Sequence, residues 1–207
     1  MIRFALGGVP MQISFYTDSP AQSFSDKNPL QFPDPPDRCP CKDCLMPVPL
    51  KKHGYYSRYF ISKTFNGVIF IRRCICTICG KTVSMLPMFC LQGFQYSGHD
   101  VLNILHEFYQ GGISLRKLVD KIKPVLPALE RRHINYYRKR IVENRNLIQY
   151  VLNLISPEFI FAGEIPENQT WVKTFLEKVQ LLHPHVFLLG FSQSTGKSFM
   201  TTKNMIA

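Results

Sequence analysis

Acidic side chains are scarce in this chain, and unevenly so. Between Asp43 and Asp100 there is none, although Lys51, Lys52, Arg58, Lys63, Arg72, Arg73 and Lys81 all fall in that stretch. From Arg116 to Arg145 ten basic residues face only Asp120, Glu130 and Glu143. Phosphoryl-transfer sites need several carboxylates converging on paired metal ions. The acids here are scattered through arms, caps and helices, and Glu158, Glu164 and Glu167 cluster only near an expected helix end. No serine or cysteine nucleophile has a partner base at a recognisable spacing. Catalysis therefore finds little support, and no small-molecule substrate is expected.

Long apolar runs are also missing. None approaches the roughly 18 residues of a membrane span. The start, Met1-Ile2-Arg3-Phe4-Ala5-Leu6, is briefly apolar, but Pro10 and Gln12 interrupt it and no small-residue cleavage site follows. The seven cysteines are an odd number and include two C-x₂-C pairs, which favours a reducing compartment and metal over disulfides. A cytoplasmic protein with no membrane partner is expected, so the Asn168-Gln169-Thr170 sequon carries no meaning there.

What is present is a hydrophobic share of 45% over 207 residues, enough for one or two folded domains. The formal charge is +11 and the pI about 9.4. Four thiolates on one Zn²⁺ would leave about +9. A small protein this basic usually meets a polyanion, nucleic acid first.

The two doublets, Cys41-Lys42-Asp43-Cys44 and Cys76-Thr77-Ile78-Cys79, are separated by 31 residues. Thiolates two residues apart on a tight turn reach one tetrahedral ion from the same side, and a second turn completes a Cys₄ site. Gly80 suits the left-handed backbone on which such a turn ends. The ligands expected are Cys41, Cys44, Cys76 and Cys79 around structural Zn²⁺. Cys39, C-x-C from Cys41, is an alternative ligand. Cys74 and Cys90 read as small buried hydrophobes.

Between the doublets, Tyr55–Ile61 and Val68–Ile71 are β-prone, and Asn66-Gly67 between them favours a tight hairpin turn. Val101 to Tyr109 recurs at helical spacing and stops at Gly111-Gly112. Ser114 caps a short second helix closed by Pro124. An Arg-rich third helix is expected from Ala128, with its apolar face continuing to Ile155. Helix, turn, short helix, turn, Arg-rich helix is the order of a helix-turn-helix unit. An ordinary helical bundle with a basic face is the competing reading. The expected organisation is α+β: a flexible arm (1–37), a small zinc-ribbon β-hairpin domain (38–92), an all-α helix-turn-helix region (97–156) and a C-terminal extension of unclear role (157–207).

Two further patterns draw notice. Gly190 to Ser198 resembles a phosphate-binding loop behind a strand-like Val186-Phe187-Leu188-Leu189. It has five residues between its glycines where the motif needs four. His183 and His185 form an H-x-H with no third ligand evident nearby, and read as loop or surface histidines beside Pro184. His53 reads as part of the turn into the hairpin.

Arg38-Cys39-Pro40, Lys52-His53-Gly54-Tyr55-Tyr56-Ser57-Arg58, Ile71-Arg72-Arg73 and Cys76-Thr77-Ile78-Cys79-Gly80-Lys81-Thr82 together resemble bacterial insertion-sequence proteins. These carry a transposase-type zinc ribbon followed by a helix-turn-helix. The resemblance covers roughly residues 31 to 140. It implies DNA binding linked to a mobile element, with Cys76 and Cys79 as metal ligands. Such ribbons usually read C-P-x-C, whereas here Cys39-Pro40 is followed by Cys41 and only then Cys44. The first pair is thus open among those three. The acidic catalytic domain of full transposases is not visible, so a separate transposase subunit or a second copy of the chain is an expected partner.

On this reading Arg131, Arg132, Asn135, Arg138 and Lys139 of the third helix enter the major groove of double-stranded DNA. Lys51, Lys52, Arg58, Arg72 and Arg73 hold phosphates. The rivals are an RNA-binding ribbon that stacks bases on Tyr55, Tyr56 and Tyr59, and a protein-interaction adaptor in which zinc only holds the fold.

Overall fold

The computed structural model describes residues 11–41, 44, 47–157 and 167–201. Strands precede helices along the chain, an α+β order. The chain divides into two units, Met1–Arg58 with Val68–Pro87, and Tyr59–Gly67 with Met88–Ala207.

The first unit holds most of the sheet, in the order β1-β4-β3-β2, while the end of β2 and the start of β3 fall in the second. The strands are β1 (Met11–Phe15), β2 (Lys51–Ile61), β3 (Asn66–Ile75) and β4 (Thr82–Pro87). β1 lies parallel to β4, with Met11 opposite Val83 and Phe15 opposite Pro87. β3 runs antiparallel to β4, with Arg72 opposite Met85. The segment expected as an arm is therefore built into the fold from residue 11. Its Ser- and Pro-rich stretch lacks periodicity because it is held by aromatic rings rather than by a strand or helix face. Phe15, Phe24 and Phe32 are buried, with centroids 5.3 to 6.4 Å apart.

Arg72 fastens this stretch. It is only 2% exposed, and its guanidinium donates to the carbonyls of Pro33 (3.1 Å) and Pro29 (2.7 Å) and to the Tyr55 hydroxyl (3.3 Å). It also lies over the Phe32 ring at 4.9 Å. A chain interrupted by prolines has carbonyls that no ladder uses, and the planar fork of Arg satisfies two of them at once.

The hairpin turn falls at Ser62–Phe65, not at Asn66-Gly67. Ser62 N–H donates to the Phe65 carbonyl at 2.7 Å, and Phe65 N–H donates back to Ser62 Oγ at 2.9 Å. Asn66 and Gly67 open β3, and Gly67 is not among the glycines with positive φ. A side-chain-closed turn competed with the local preference of Asn-Gly and won.

The second unit contains α1 (Gly98–Gln110), α2 (Leu115–Ile122), α3 (Arg131–Glu143), α4 (Arg145–Ile155), α5 (Asn168–Leu182) and α6 (Pro184–Thr195). Ser97 and Ser114 cap α1 and α2. α3 begins at Arg131 rather than Ala128, because Glu130 and His133 form a reciprocal cap in which Glu130 N–H donates to His133 Nδ1 at 3.0 Å. Residues 123–130 form the preceding connection, with Leu126 and Leu129 buried in it.

The segment expected as an extension belongs to this core. α5 and α6 pack on α1, and α6 on α4. Trp171 stacks on Phe175 (5.5 Å, 7°), and Phe175, Phe187, Phe191 and Phe199 continue the cluster. Arg140 Nε and Asn144 Nδ2 donate to the carbonyls of Met200 and Phe199, fixing the end of the described chain. Val186 to Leu189, strand-like in sequence, are helical, so no strand-then-loop phosphate cradle forms. No helix among the described residues is long and apolar enough to cross a membrane.

Gly190 marks the closest approach of α6 to α4, where an added Cβ would sit 2.8 Å from Ile155 Cγ2. Ile155 is branched at Cβ and stiff. Gly190→Ala is therefore expected to destabilise by about 1–3 kcal/mol despite its helix propensity, and Ile155→Ala in the same chain to recover part of the loss. Denaturant unfolding of the two single variants and the double variant checks this. Arg72→Lys should cost about 2–4 kcal/mol, since a lysine cannot span both carbonyls. Limited proteolysis before β2 would show it as earlier cleavage.

Candidate metal centre

The second doublet is organised by its own backbone. Cys76 N–H donates to the Lys81 carbonyl and Gly80 N–H to the Cys76 carbonyl, both at 3.0 Å. Gly80 takes φ +67°, which closes the turn without the strain a side chain would bring. This folding-back aims the amides of Cys79 and Ile78 at the Cys76 sulfur. The Cys79 amide is the larger influence, and together they hold the Cys76 thiol down to about 6 against the opposing effect of burial.

Facing this turn are Cys39 and Cys44. The ligand atoms of Cys39, Cys44, Cys76 and Cys79 all lie within 4.8 Å of one another. Cys39 and Cys79 sulfurs are 3.6 Å apart, and those of Cys44 and Cys76 are 3.7 Å apart. Cys39, Cys44 and Cys76 are buried and Cys79 is partly exposed. Burial, and then the neighbouring Cys76 sulfur, pushes Cys44 up to about 12. Burial also raises the Cys39 thiol. Backbone amides thus favour the thiolate at Cys76, while Cys39 and Cys44, raised by burial, give up their protons more readily to a cation that takes their place. Four sulfur donors in one group can hold a metal ion and suit a soft or borderline one.

Cys39, the alternative ligand in the sequence reading, stands in this group where turn spacing favoured Cys41. Cys44 N–H donates to the Cys41 carbonyl at 3.0 Å, so the first turn does form around Cys41. The Cys41 side chain, however, receives the Lys81 ammonium at 2.9 Å. Cys39 and Cys44, spaced C-x₄-C, thus offer their sulfurs to the same group. Cys74 and Cys90 are buried outside the group.

The basic and polar residues singled out in the sequence separate into three kinds. Lys51 and Lys52 are exposed on β2, and Arg131, Arg132, Asn135 and Lys139 are exposed on α3. Arg58 and Arg73 are half-buried. Arg72 and Arg138 are committed to the fold. Arg72 binds the proline-rich stretch, which withdraws it from the phosphate contacts expected of it. Arg138 lies over Phe108 at 4.6 Å, with Nε donating to Tyr109 Oη at 3.3 Å and Nη1 to Asn135 Oδ1 at 3.3 Å. Tyr55 is likewise engaged, with Arg72 and against the Phe32 ring at 5.8 Å. Arg116, not singled out in the sequence, lines a groove with Val119, Asp120 and Arg131. The short amphipathic pattern of α2 was its available signal.

One metal equivalent per chain is expected from this geometry. Cys39→Ser and Cys76→Ser should each abolish retention of the ion, whereas Cys41→Ser should keep it. Metal analysis of the purified variants distinguishes the Cys39 set from the Cys41 set directly.

Comparison of the chain with protein-family models, with curated proteins and with solved structures gives no match in any of the three.

Proposed function

We propose that this chain is a zinc-stabilised, non-catalytic DNA-binding protein of the mobile-element type, whose ribbon is a structural support and whose α3 reads the duplex. Zinc is the ion favoured by an all-thiolate set. Tetrahedral Zn–S bonds of about 2.3 Å place sulfurs about 3.8 Å apart, close to the 3.6 and 3.7 Å separations of the two pairs. Zinc supplies no redox chemistry, and a closed Cys₄ shell leaves no position for a substrate.

The observation that carries the DNA reading is the division of α3 into two faces. Ile134, Tyr137 and Ile141 are buried, while Arg131, Asn135 and Lys139 recur at four-residue spacing on the exposed side, with Arg132 and Tyr136 beside them. Ordinary solubilising charge needs no such set of Arg and Asn, the side chains that pair bidentately with guanine and adenine edges. α2 adds the exposed Arg116 and Lys117. The order α1, α2, α3 fits a helix-turn-helix whose second connection is lengthened to residues 123–130. A second copy of the chain, or a separate transposase subunit, would supply the other half-site or the chemistry.

If Arg116, Lys117, Arg131, Arg132 and Lys139 each neutralise one phosphate, duplex affinity should fall roughly 500-fold between 50 and 200 mM salt. Asn135→Ala should cost about 1–3 kcal/mol at a preferred site and relax the sequence preference there. Gel-shift titrations at several salt concentrations read both effects. Salt-independent binding, or unchanged affinity in an Arg131→Glu/Arg132→Glu variant of unaltered circular dichroism, would defeat the proposal. Stronger competition by single-stranded RNA than by duplex would redirect it to RNA.

A further inference from the structure

Within the helical unit three histidines from distant parts of the sequence come together. His99 is the second residue of α1, His183 joins α5 to α6, and His185 lies in the first turn of α6. The His99 and His185 ring centroids are 6.2 Å apart, and those of His183 and His185 are 5.8 Å apart at an interplanar angle of 15°. His99 Nε2 is buried and has no hydrogen-bond partner. A buried polar atom left so costs on the order of 1–3 kcal/mol.

His183 carries a second mark. At φ +67° and ψ 127° it is the one non-glycine residue with positive φ among the described residues. It also precedes Pro184, where the chain favours negative φ. Such backbone is stored at a cost of order 1–3 kcal/mol and persists where something else fixes it. Glycine would relieve the strain, yet the position holds a third imidazole.

We propose that His99, His183 and His185 form a second metal site, for a late first-row divalent cation such as Zn²⁺, Ni²⁺ or Cu²⁺, joining the start of α1 to the α5–α6 corner. Imidazole nitrogens without thiolates suit these ions. With metal–nitrogen bonds of about 2.0–2.1 Å, two rings on one ion have centroids roughly 5–6 Å apart, near both separations seen here. Among the described residues the four cysteines are the group whose donor atoms already converge, so binding at the histidines requires their rings to turn toward the ion. The positive ends of α1 and α6 oppose a cation by about 0.3–1 kcal/mol each. The same fields favour neutral rings, the form that coordinates. The site is independent of the thiolate centre and of DNA binding.

Cu²⁺ titrated into the zinc-loaded full chain tests the proposal. A second equivalent should bind, with nitrogen hyperfine structure from at least two imidazoles in its electron paramagnetic resonance spectrum. His99→Gln and His183→Asn should each weaken that equivalent tenfold or more and leave the zinc content unchanged. Asparagine at 183 is no more strained than histidine at positive φ, so His183→Asn keeps the test valid if His99→Gln folds poorly. Absence of a second equivalent overturns the site. So does equal binding by wild type and His183→Asn, which would place the copper on other histidines.

Discussion

Four cysteine sulfurs packed within 4.8 Å of one another set the central constraint on the first unit. Neutral thiols at that separation gain little from each other, and as thiolates they would repel strongly in a buried setting. A cation resolves the conflict by replacing the protons and offsetting the charge. Backbone hydrogen bonds from Cys44 N–H to the Cys41 carbonyl and from Gly80 N–H to the Cys76 carbonyl lie beside these sulfurs. β3 and β4 run directly into and out of the second turn. Arg72, near the end of β3, then holds the proline-rich stretch that brings Cys39 forward in the chain.

The helical unit rests on a different principle, the burial of aromatic rings around α5 and α6. Trp171, Phe175, Phe187, Phe191 and Phe199 fill the space between helices. The unusually close contact at Gly190 lets α4 approach α6. This packing frees α3 to keep polar and cationic side chains outward, because its inner face needs only Ile134, Tyr137 and Ile141 to hold it. Not every cation remains available, however. Arg138 and Arg140 are drawn inward to rings and carbonyls, where they act as scaffold. A count of basic residues along a sequence therefore overstates the surface offered to a polyanion.

Legibility in the sequence followed the range of the interaction. The stop of α1 and the start of α2 were readable because the Gly111-Gly112 pair and Ser114 act on carbonyls and amides a few residues away. The hairpin strands were readable from β-prone runs. Their turn was misplaced by three residues, because Ser62 closes it with a side-chain hydroxyl that competes with the Asn-Gly preference. The start of α3 shifted from Ala128 to Arg131 because a Glu-His cap is a less familiar signal than Ser or Asp. Residues 16–37 gave no periodicity to read, since their order comes from aromatic packing around Phe15, Phe24 and Phe32 and from a distant arginine.

The sequence by itself determined the second cysteine turn. Everything that shapes it, from the Cys76 amide to Gly80 and Lys81, lies within six residues, where backbone geometry alone selects the conformation. It also determined that strands would precede helices. Only the tertiary structure decided that Cys39 joins Cys44 in the thiol group while Cys41 meets Lys81, because those contacts span about 40 residues and depend on how two turns face each other. The same holds for Arg72, whose hydrogen bonds to Pro29 and Pro33 no local pattern encodes. It holds again for His99, brought to His185 by the packing of α1 against α6. Short-range hydrogen bonding is written in neighbouring residues; the choice among equivalent cysteines, arginines and histidines is made by the surfaces that fold over them.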